Sequence, residues 1–515
     1  MLPFLVEYSS HNPEEAKMQR SLLLGAGAIA LAAVGFAALR GMTRNEAGKA
    51  TDQGIQQLLA NLPPGWQVTH GPVDYNPLTS TATLHDLKIT RPGRVEWTAE
   101  TLTVSGADAQ ALRDVFDPAS YPAGKPAWTD RRLLLQDMAA HNVHAHVEGA
   151  SKLDYSIAAV TLHRLSGRPF LLPPTPENRE DPKFAADAAL AMAADSAEET
   201  ETHVTQTDGQ GSSFTIASVR VSNYDAGKLA AFTVKGMALD ARDKKDQPVH
   251  LSLGSLSAKD VDAARALQAI RESGHGDNAQ LALIGYSSSE MADMAMNVGA
   301  TVSLKIDDVR GTQSVPDSAG TRKGTGSLHG MTMGLGTVAM PPKIEAAIDA
   351  FGMRAITMDG EGSGSGAPGG RSQFDETITL RDLGTLHASG AFSGYVSPAG
   401  SSMPAATAAM MGVTLEQASL VWTDASLTDR LFKVAASQAG TTPDIIRGQL
   451  AMPILAAGVM VPDQPDVADQ LSAFLTHPHK LTVMMNPPQK ITLGEVAGAP
   501  ATSRAHLLGL HVSGN

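Results

Sequence analysis

Residues 21–39, SLLLGAGAIALAAVGFAAL, carry no charge. As an α-helix this run reaches about 28 Å, close to the ~30 Å hydrocarbon core of a bilayer. Lys17 and Arg20 precede it; Arg40 and Arg44 follow it. The segment reads as a single-pass membrane helix, and the long polar remainder as a region held at a membrane surface. A cleaved signal peptide is the competing reading. Its apolar part is ordinarily about 7–15 residues, and the small-x-small site Gly35-Phe36-Ala37 falls inside the apolar run, so length favours the retained helix. Flanking charge does not fix orientation, because Arg40, Arg44 and Lys49 balance the upstream basic residues. The short N-terminal tail and the bulk of polar chain downstream place the N-terminus in the cytoplasm.

Composition narrows the chemistry. The 515 residues contain no cysteine, which excludes disulfides, thiolate metal sites, cysteine nucleophiles and a lipoprotein anchor. The net charge is −13. No basic cluster with interleaved aromatics occurs, so nucleic acid is not an expected partner. The same acidity opposes a broad surface lying on anionic lipid. Aromatics are only 4% of the chain, so its cores must rest on Leu, Val, Ile, Met and Ala.

After the anchor, Asn45 to Leu62 has helical spacing in Ile55, Leu58, Leu59 and Leu62, and Pro63-Pro64 end it. The period then becomes two: VDYNPLTSTATLHDLKIT alternates through Leu84, Leu87 and Ile89, with Asn76-Pro77 as a turn. An ungapped internal repeat follows. WTAETLTVSGADAQAL from Trp97 aligns with FTIASVRVSNYDAGKL from Phe214, and more weakly with LSLGSLSAKDVDAARA from Leu251. Each copy predicts a strand, a polar turn and a helix start, with Asp108, Asp225 and Asp262 meeting free backbone N–H groups in the first turn.

Pro-rich GRPFLLPPTPENREDP, a predicted helix over Lys183–Glu199 and polar Thr200–Ser213 predict a boundary in 168–212. Gln313–Gly326 is a second soft stretch, and the Gly/Ser composition of 359–372 predicts a flexible loop. Near the C-terminus, Ser426–Ala439 and Thr442–Val459 read as helices with Ser426 and Thr442 as N-caps and Gly440 as a stop; Pro453 divides the second. On the first, Leu427, Leu431 and Val434 define the apolar face. Gln464–Thr476 is a third helix, and LTVMMNP and SRAHLLGLHVSG read as closing strands.

Three constellations bear on chemistry. In HNVHAH, a strand would place His144, His146 and Glu148 on one face, a chelating set for zinc. Val143, Ala145 and Val147 would then form the inward face and leave the histidines in solvent. His477-Pro478-His479 is a lesser metal candidate. GYSSS at 285–289 follows apolar LALI and precedes EMADMAM, which reads as a helix. That is the strand–Ser–helix setting of a hydrolase nucleophile, with Ser287 attacking; the alternative is Ser288 or Ser289 as a helix N-cap. The glycines of 360–370 lack the Lys-Ser/Thr and the strand–helix frame of a phosphate loop. No cofactor is expected.

One anchor followed by LPPGWQVTHGPVDYNPLTSTATLHDLKIT resembles the start of AsmA-like envelope proteins. The segment TLEQASLVWTDASLTDRLFKVAASQAGTTPDIIRGQL is similar to the tail of related uncharacterised bacterial membrane-anchored proteins. The resemblance covers residues 18–105 and 375–515. It implies an inner-membrane protein with a β-rich periplasmic region, associated with phospholipid transport and outer-membrane homeostasis. It brings no motif from which functional residues can be carried over.

The expectation is therefore an α+β, β-rich chain: an N-terminal transmembrane helix, curved antiparallel sheets with short packed helices, and a helical segment near the C-terminus. The expected divisions are a tail (1–17), the membrane helix (18–40), a β-rich unit (41–167), a linker with an Ala-rich helix (168–212), a second β-rich unit (213–358), a Gly/Ser loop (359–372) and C-terminal strands and helices (373–515). The expected role is non-enzymatic: a groove for lipid acyl chains, or a scaffold for envelope assembly, with membrane lipid and other envelope proteins as partners. The expected place is the bacterial inner membrane, with the C-terminal region in the periplasm. The alternative is an anchored serine hydrolase using Ser287. Oligomeric state stays open.

Overall fold

The computed structural model describes residues 67–514 apart from several stretches, of which 277–283, 335–341, 395–402 and 451–464 are the longest. The expected membrane helix and the helix at 45–62 lie outside the described residues, as does Pro453. Among the described residues no helix is long and apolar enough to cross a membrane. The chain divides into two units: one ends at Ala241 and includes Lys259–Gly285, and the other comprises Arg242–Ala258 and Tyr286–Asn515.

The first unit is an antiparallel sheet. Strands β1 (Gln67–Thr69) and β2 (Val73–Asn76) both pair with β3 (Thr81–Arg91). From β3 each strand pairs with the next: β4 (Val95–Ser105), β5 (Arg132–Val147), β6 (Leu153–Gly167), β7 (Met192–Gln206), β8 (Ser213–Asp225) and β9 (Lys228–Arg242).

Strict alternation fails at one level shared by β3–β9, and β6 and β8 break again at Arg164 (φ +49°) and Asn223 (φ +50°). On β3 the buried residues are Ala82, Leu84, Leu87 and Ile89, spaced two, three and two apart. The extra residue is Asp86, which has φ +50°. Asn142 on β5 (φ +50°), Glu201 on β7 (φ +52°) and Gly236 on β9 (φ +59°) hold the same place. Opposite them on the intervening strands stand Glu100, Ala158 and Ala217, at positions the ladder pairing skips. A left-handed residue inside a strand behaves as a bulge: it bends the strand, adds twist and shifts the side-chain phase by one. Because every strand slips together, the apolar set stays on one face on both sides of the line. Gly236 meets a further constraint, since a Cβ there would stand 2.7 Å from the Ala217 methyl.

Helices gather at the end of the sheet where β5 and β7 begin. They are α1 (Ala109–Phe116), α2 (Pro176–Arg179), α3 (Pro182–Ala191) and α4 (Ala264–Ser273). Asp108 caps α1, its Oδ1 accepting from the N–H groups of Gln110 and Ala111 at 3.0 and 2.9 Å. Ala111, Leu112 and Val115 of α1 pack with Leu134, Phe170, Phe184 and Ala191. A buried carboxylate fastens this end. Asp187 of α3 accepts from Arg168 at 2.8 Å and from the Leu171 N–H at 2.7 Å, and Arg271 of α4 stands 3.5 Å away. The Tyr121 hydroxyl donates to Val115 O and accepts from the Phe170 N–H, both at 2.9 Å. Burial first of all pushes that phenol up to about 12.

Three expectations change here. The helix over Lys183–Glu199 stops at Ala191, and 192–206 is a strand paired on both sides, so 168–212 is interior to a unit rather than a linker. The second repeat copy is a hairpin: Ala226 (φ +50°) and Gly227 (φ +87°) turn β8 directly into β9, as both central residues of a tight hairpin require. The third copy, the weakest in sequence, has the expected strand–turn–helix form, with Asp262 accepting from Ala264 N–H at 3.0 Å.

The second unit begins at Arg242, the last residue of β9, and takes in β10 (Pro248–Asp262) except its last four residues, which belong to the first. It then runs β11 (Ser288–Val298), β12 (Val302–Gln313), β13 (Arg322–Gly334), β14 (Ala355–Gly366), β15 (Arg371–Leu380), β16 (Gly384–Ser393), β17 (Thr414–Asp424) and β18 (Lys480–Met485), each from β11 antiparallel to the next. β19 (Ile491–Thr492) joins β17, and β20 (Leu510–Gly514) joins β18. The helices are α5 (Pro342–Phe351), α6 (Met403–Met411), α7 (Leu427–Ala439), α8 (Pro465–Thr476), α9 (Leu493–Gly498) and α10 (Ala501–Leu507); residues 443–450 are also helical.

The Gly/Ser stretch expected as a loop at 359–372 is mostly ladder: 355–366 form β14 and pairing resumes at Arg371. EMADMAM lies in β11, not in a helix. SRAHLLGLHVSG is half helix and half strand. Gly440 ends α7 as expected, at φ +64°. Ser426 does not cap it; Asp424 Oδ2 does so, accepting from Thr428 N–H at 3.1 Å and Thr428 Oγ1 at 2.8 Å. The buried stripe of α7 is Phe432 and Ala436, which pack on Ile446, while Leu431 is exposed.

Candidate functional site

Ladder partners in an antiparallel sheet point to the same side. The slipped pattern of β3 therefore propagates as four rows. The first runs Ile89, Trp97, Ala145, Tyr155, Val204, Phe214 and Leu239; the second Leu87, Ala99, Val143, Ile157, Thr202, Ile216 and Met237. Beyond the slip come Leu84, Leu102, Ala140, Val160, Glu199, Val219 and Val234, then Ala82, Val104, Met138, Leu162, Ala197, Val221 and Phe232. Over β3–β5 these side chains are a buried core, Trp97 apart. Over β6–β9 they are mostly half-exposed, Thr202 and Val234 being buried. The result is one largely apolar face, buried over β3–β5 and mostly half-exposed over β6–β9, with Glu199 and Thr202 the polar members on β7. The row farthest from the helices carries Trp97, Tyr155 and Phe214, so three rings, two of them with a polar edge, stand at the end without helices. Burial raises the Tyr155 phenol above its usual range.

The second unit has a comparable face. Met296, Leu304, Met333 and Ile356 form one row across β11–β14. Met291, Val309, Leu328, Gly360, Ile378, Leu386, Trp422 and Leu481 form another across β11–β18. Met294, Met331 and Met358 add to it. Unbranched thioether side chains re-pack readily, which suits an apolar surface that meets variable shapes. On the opposite face of β12–β17 lies a polar trough of about 870 Å³, lined by Thr312, Thr325, Ser363, Ser389, Asp375, Lys323, Gln373 and Gln417.

The outer face of the first unit is polar, and there the sequence-derived metal candidates are found. As expected for a strand, Val143 and Ala145 are buried and His144 is exposed. His144 faces Thr98 and Ser156 across the ladder. His146 Nδ1 is hydrogen-bonded to Asp154, and Glu148 stands 3.7 Å from Nε2. The bond to Asp154, more than the nearby charges, raises the pKa of His146. Among the described residues no group of three or more His, Asp or Glu side chains is placed to hold a metal ion. The expected set of His144, His146 and Glu148 is therefore a charged cross-strand pair beside a separate histidine, and His477 and His479 form no such group either. A second pair, His163–Asp137 at 2.8 Å, lies on the same face, and that bond chiefly lowers the Asp137 pKa.

Ser287 precedes β11, and its carbonyl accepts from Gln313 N–H at 2.9 Å. A strand follows it where a nucleophile elbow needs a helix, so the local geometry of that hydrolase setting is not formed. The helix N-cap alternative for Ser288 and Ser289 fails for the same reason; both are ladder residues paired with Thr312 and Gly311.

Fold and faces together define a β-rich protein of antiparallel strands and short helices, with ladder rows of apolar side chains in both units. A family model described only as "Uncharacterized protein" matches residues 377–515, from within β15 to the end of the chain. No curated protein matches the chain.

Proposed function

We propose that this protein is a non-enzymatic, membrane-anchored envelope protein that holds lipid acyl chains against the apolar face of its curved sheet. The observation that carries the reading is the set of four largely apolar rows, which stay on one face through seven strands and from β6 onward are mostly half-exposed, Thr202 and Val234 being buried. A monomeric soluble protein rarely leaves so long an apolar surface open without a use for it. Acyl chains suit it because the rows run across seven strands and are rich in flexible aliphatic groups, with polar side chains only at Glu199 and Thr202 on β7 besides the ring edges of Trp97 and Tyr155. The uncharged segment 21–39 supplies the anchor in this reading, and the resemblance to AsmA-like proteins supports a bacterial inner membrane with the β-rich region in the periplasm.

The test is extraction of the purified full chain followed by lipid mass spectrometry, with titration of a neutral apolar fluorophore. Co-purifying lipid that the fluorophore displaces is the expected result. Absence of both lipid and fluorophore binding overturns the proposal.

A further inference from the structure

We infer that Glu199 and Thr202 form a polar station on the apolar face of the first unit, which selects long-chain amphiphiles bearing an ammonium over those bearing a carboxylate. This inference rests on the acyl-chain reading above.

In the four rows, Glu199 and Thr202 interrupt an otherwise apolar set apart from the ring edges of Trp97 and Tyr155. Both lie on β7. Glu199 stands between Val160 and Val219, and Thr202 between Ile157 and Ile216. The Thr202 hydroxyl donates to Glu199 Oε1. That bond engages one carboxylate oxygen, and the four rows themselves contain no Lys, Arg or His.

A carboxylate surrounded by aliphatic side chains is costly for folding alone. An ordinary sheet of this pattern would place Val or Ile at both positions, as β6 and β8 do. The pair is half-exposed at Glu199 and buried at Thr202, on the same face as the apolar rows. An amphiphile laid along the rows meets an anionic acceptor at this level. An ammonium there gains a charge-assisted hydrogen bond; a carboxylate meets like charge in a poorly solvated place.

The experiment uses the full chain and two chain-matched probes, dodecylamine and dodecanoate, each below its micellar concentration. Each is titrated against bound N-phenyl-1-naphthylamine. In the wild type the amine is expected to displace the fluorophore about two- to fivefold more tightly than the acid, the range for one partly exposed charge pair. Because the whole chain is acidic, the control is Glu198→Gln. Glu198 is the next residue and lies on the opposite face, aligned with Thr161 and Arg220. Glu198→Gln should keep the preference; Glu199→Gln should reduce it to near unity. Glu199→Leu, which matches its apolar neighbours, repeats the test without any dependence on hydrogen bonding. An unchanged preference in Glu199→Gln and Glu199→Leu overturns the inference and leaves the acyl-chain reading standing. Failure of the fluorophore and both probes to bind the wild type overturns the acyl-chain reading, and this inference with it.

Discussion

Glu201 is the least suited residue on the line where the strands of the first unit slip. Asp and Asn, as at Asp86 and Asn142, are the non-glycine residues that most readily adopt a left-handed backbone, and Gly236 has no Cβ to clash. A glutamate gains neither advantage. Glu201→Asn is therefore expected to stabilise the first unit by about 0.5–1 kcal/mol and to raise its melting temperature. A lower melting temperature would show that the Glu201 side chain itself carries the slip. His146 gives a second test at this scale. Its pKa is raised in the folded chain by the hydrogen bond to Asp154, with Glu148 adding to it. A raised folded pKa contributes stability that is complete below the ordinary histidine value and is lost as pH rises through the folded one. The melting temperature should therefore fall across that interval, and His146→Gln should flatten this part of the profile. For Asp137, held low chiefly by His163, the sign is opposite. Its contribution is present above the ordinary carboxylate value and is lost only as acid carries the pH below it.

At the scale of elements, the β-rich class and the inward face of β5 could be read from alternation, and the caps at Asp108 and Asp262 from their place before a helix start. Local propensity misled elsewhere. EMADMAM is made of good helix formers, yet Met291, Met294 and Met296 align with Val309, Ile306 and Leu304, and that apolar pairing decides in favour of strand. The glycines of 360–366 looked like linker. They form a ladder because β13 and β15 flank them, and Gly324 and Gly326 oppose Gly364 and Gly362. The slip itself was visible as apolar residues two, three and two apart in TATLHDLKI, but it resembles imperfect alternation until several strands show it. On α7 the apolar face was misplaced because Leu427, Leu431 and Val434 fit the period as well as Phe432 and Ala436 do. Burial separates the two sets, and it bears on Ile446, which is 8% exposed beside Phe432 and Ala436, whereas Ile445 is 50% exposed. Ile446→Asp buries a charge and should cost about 3 kcal/mol or more, with a marked fall in melting temperature. Ile445→Asp should leave melting within a degree or two. Equal effects of the two changes would mean that Ile446 is not core.

Across the first unit as a whole, one chemistry serves two roles, and burial alone separates them. Leu84, Leu102 and Ala140 belong to the same row as Val160, Val219 and Val234. At the β3–β5 side the row is core, with Leu102 at 0% exposure. Toward β8 its members stay half-exposed. A truncation at the closed side removes packed atoms and leaves a cavity, so Leu102→Ala should cost about 3 kcal/mol. A truncation at the open side removes atoms that water already touches, so Ile216→Ala should cost about 1 kcal/mol. Fluorophore binding should order the same variants the other way. Ile216→Ala deletes surface that an acyl chain would cover, and should weaken binding severalfold while melting changes little. Leu102→Ala should shift melting strongly and, at temperatures where the protein stays folded, leave the fluorophore affinity near that of the wild type. Two variants of one face thus separate a site from a core. If Ile216→Ala costs as much stability as Leu102→Ala and binding follows stability, the open side of the sheet is core as well, and the lipid must be sought on another surface.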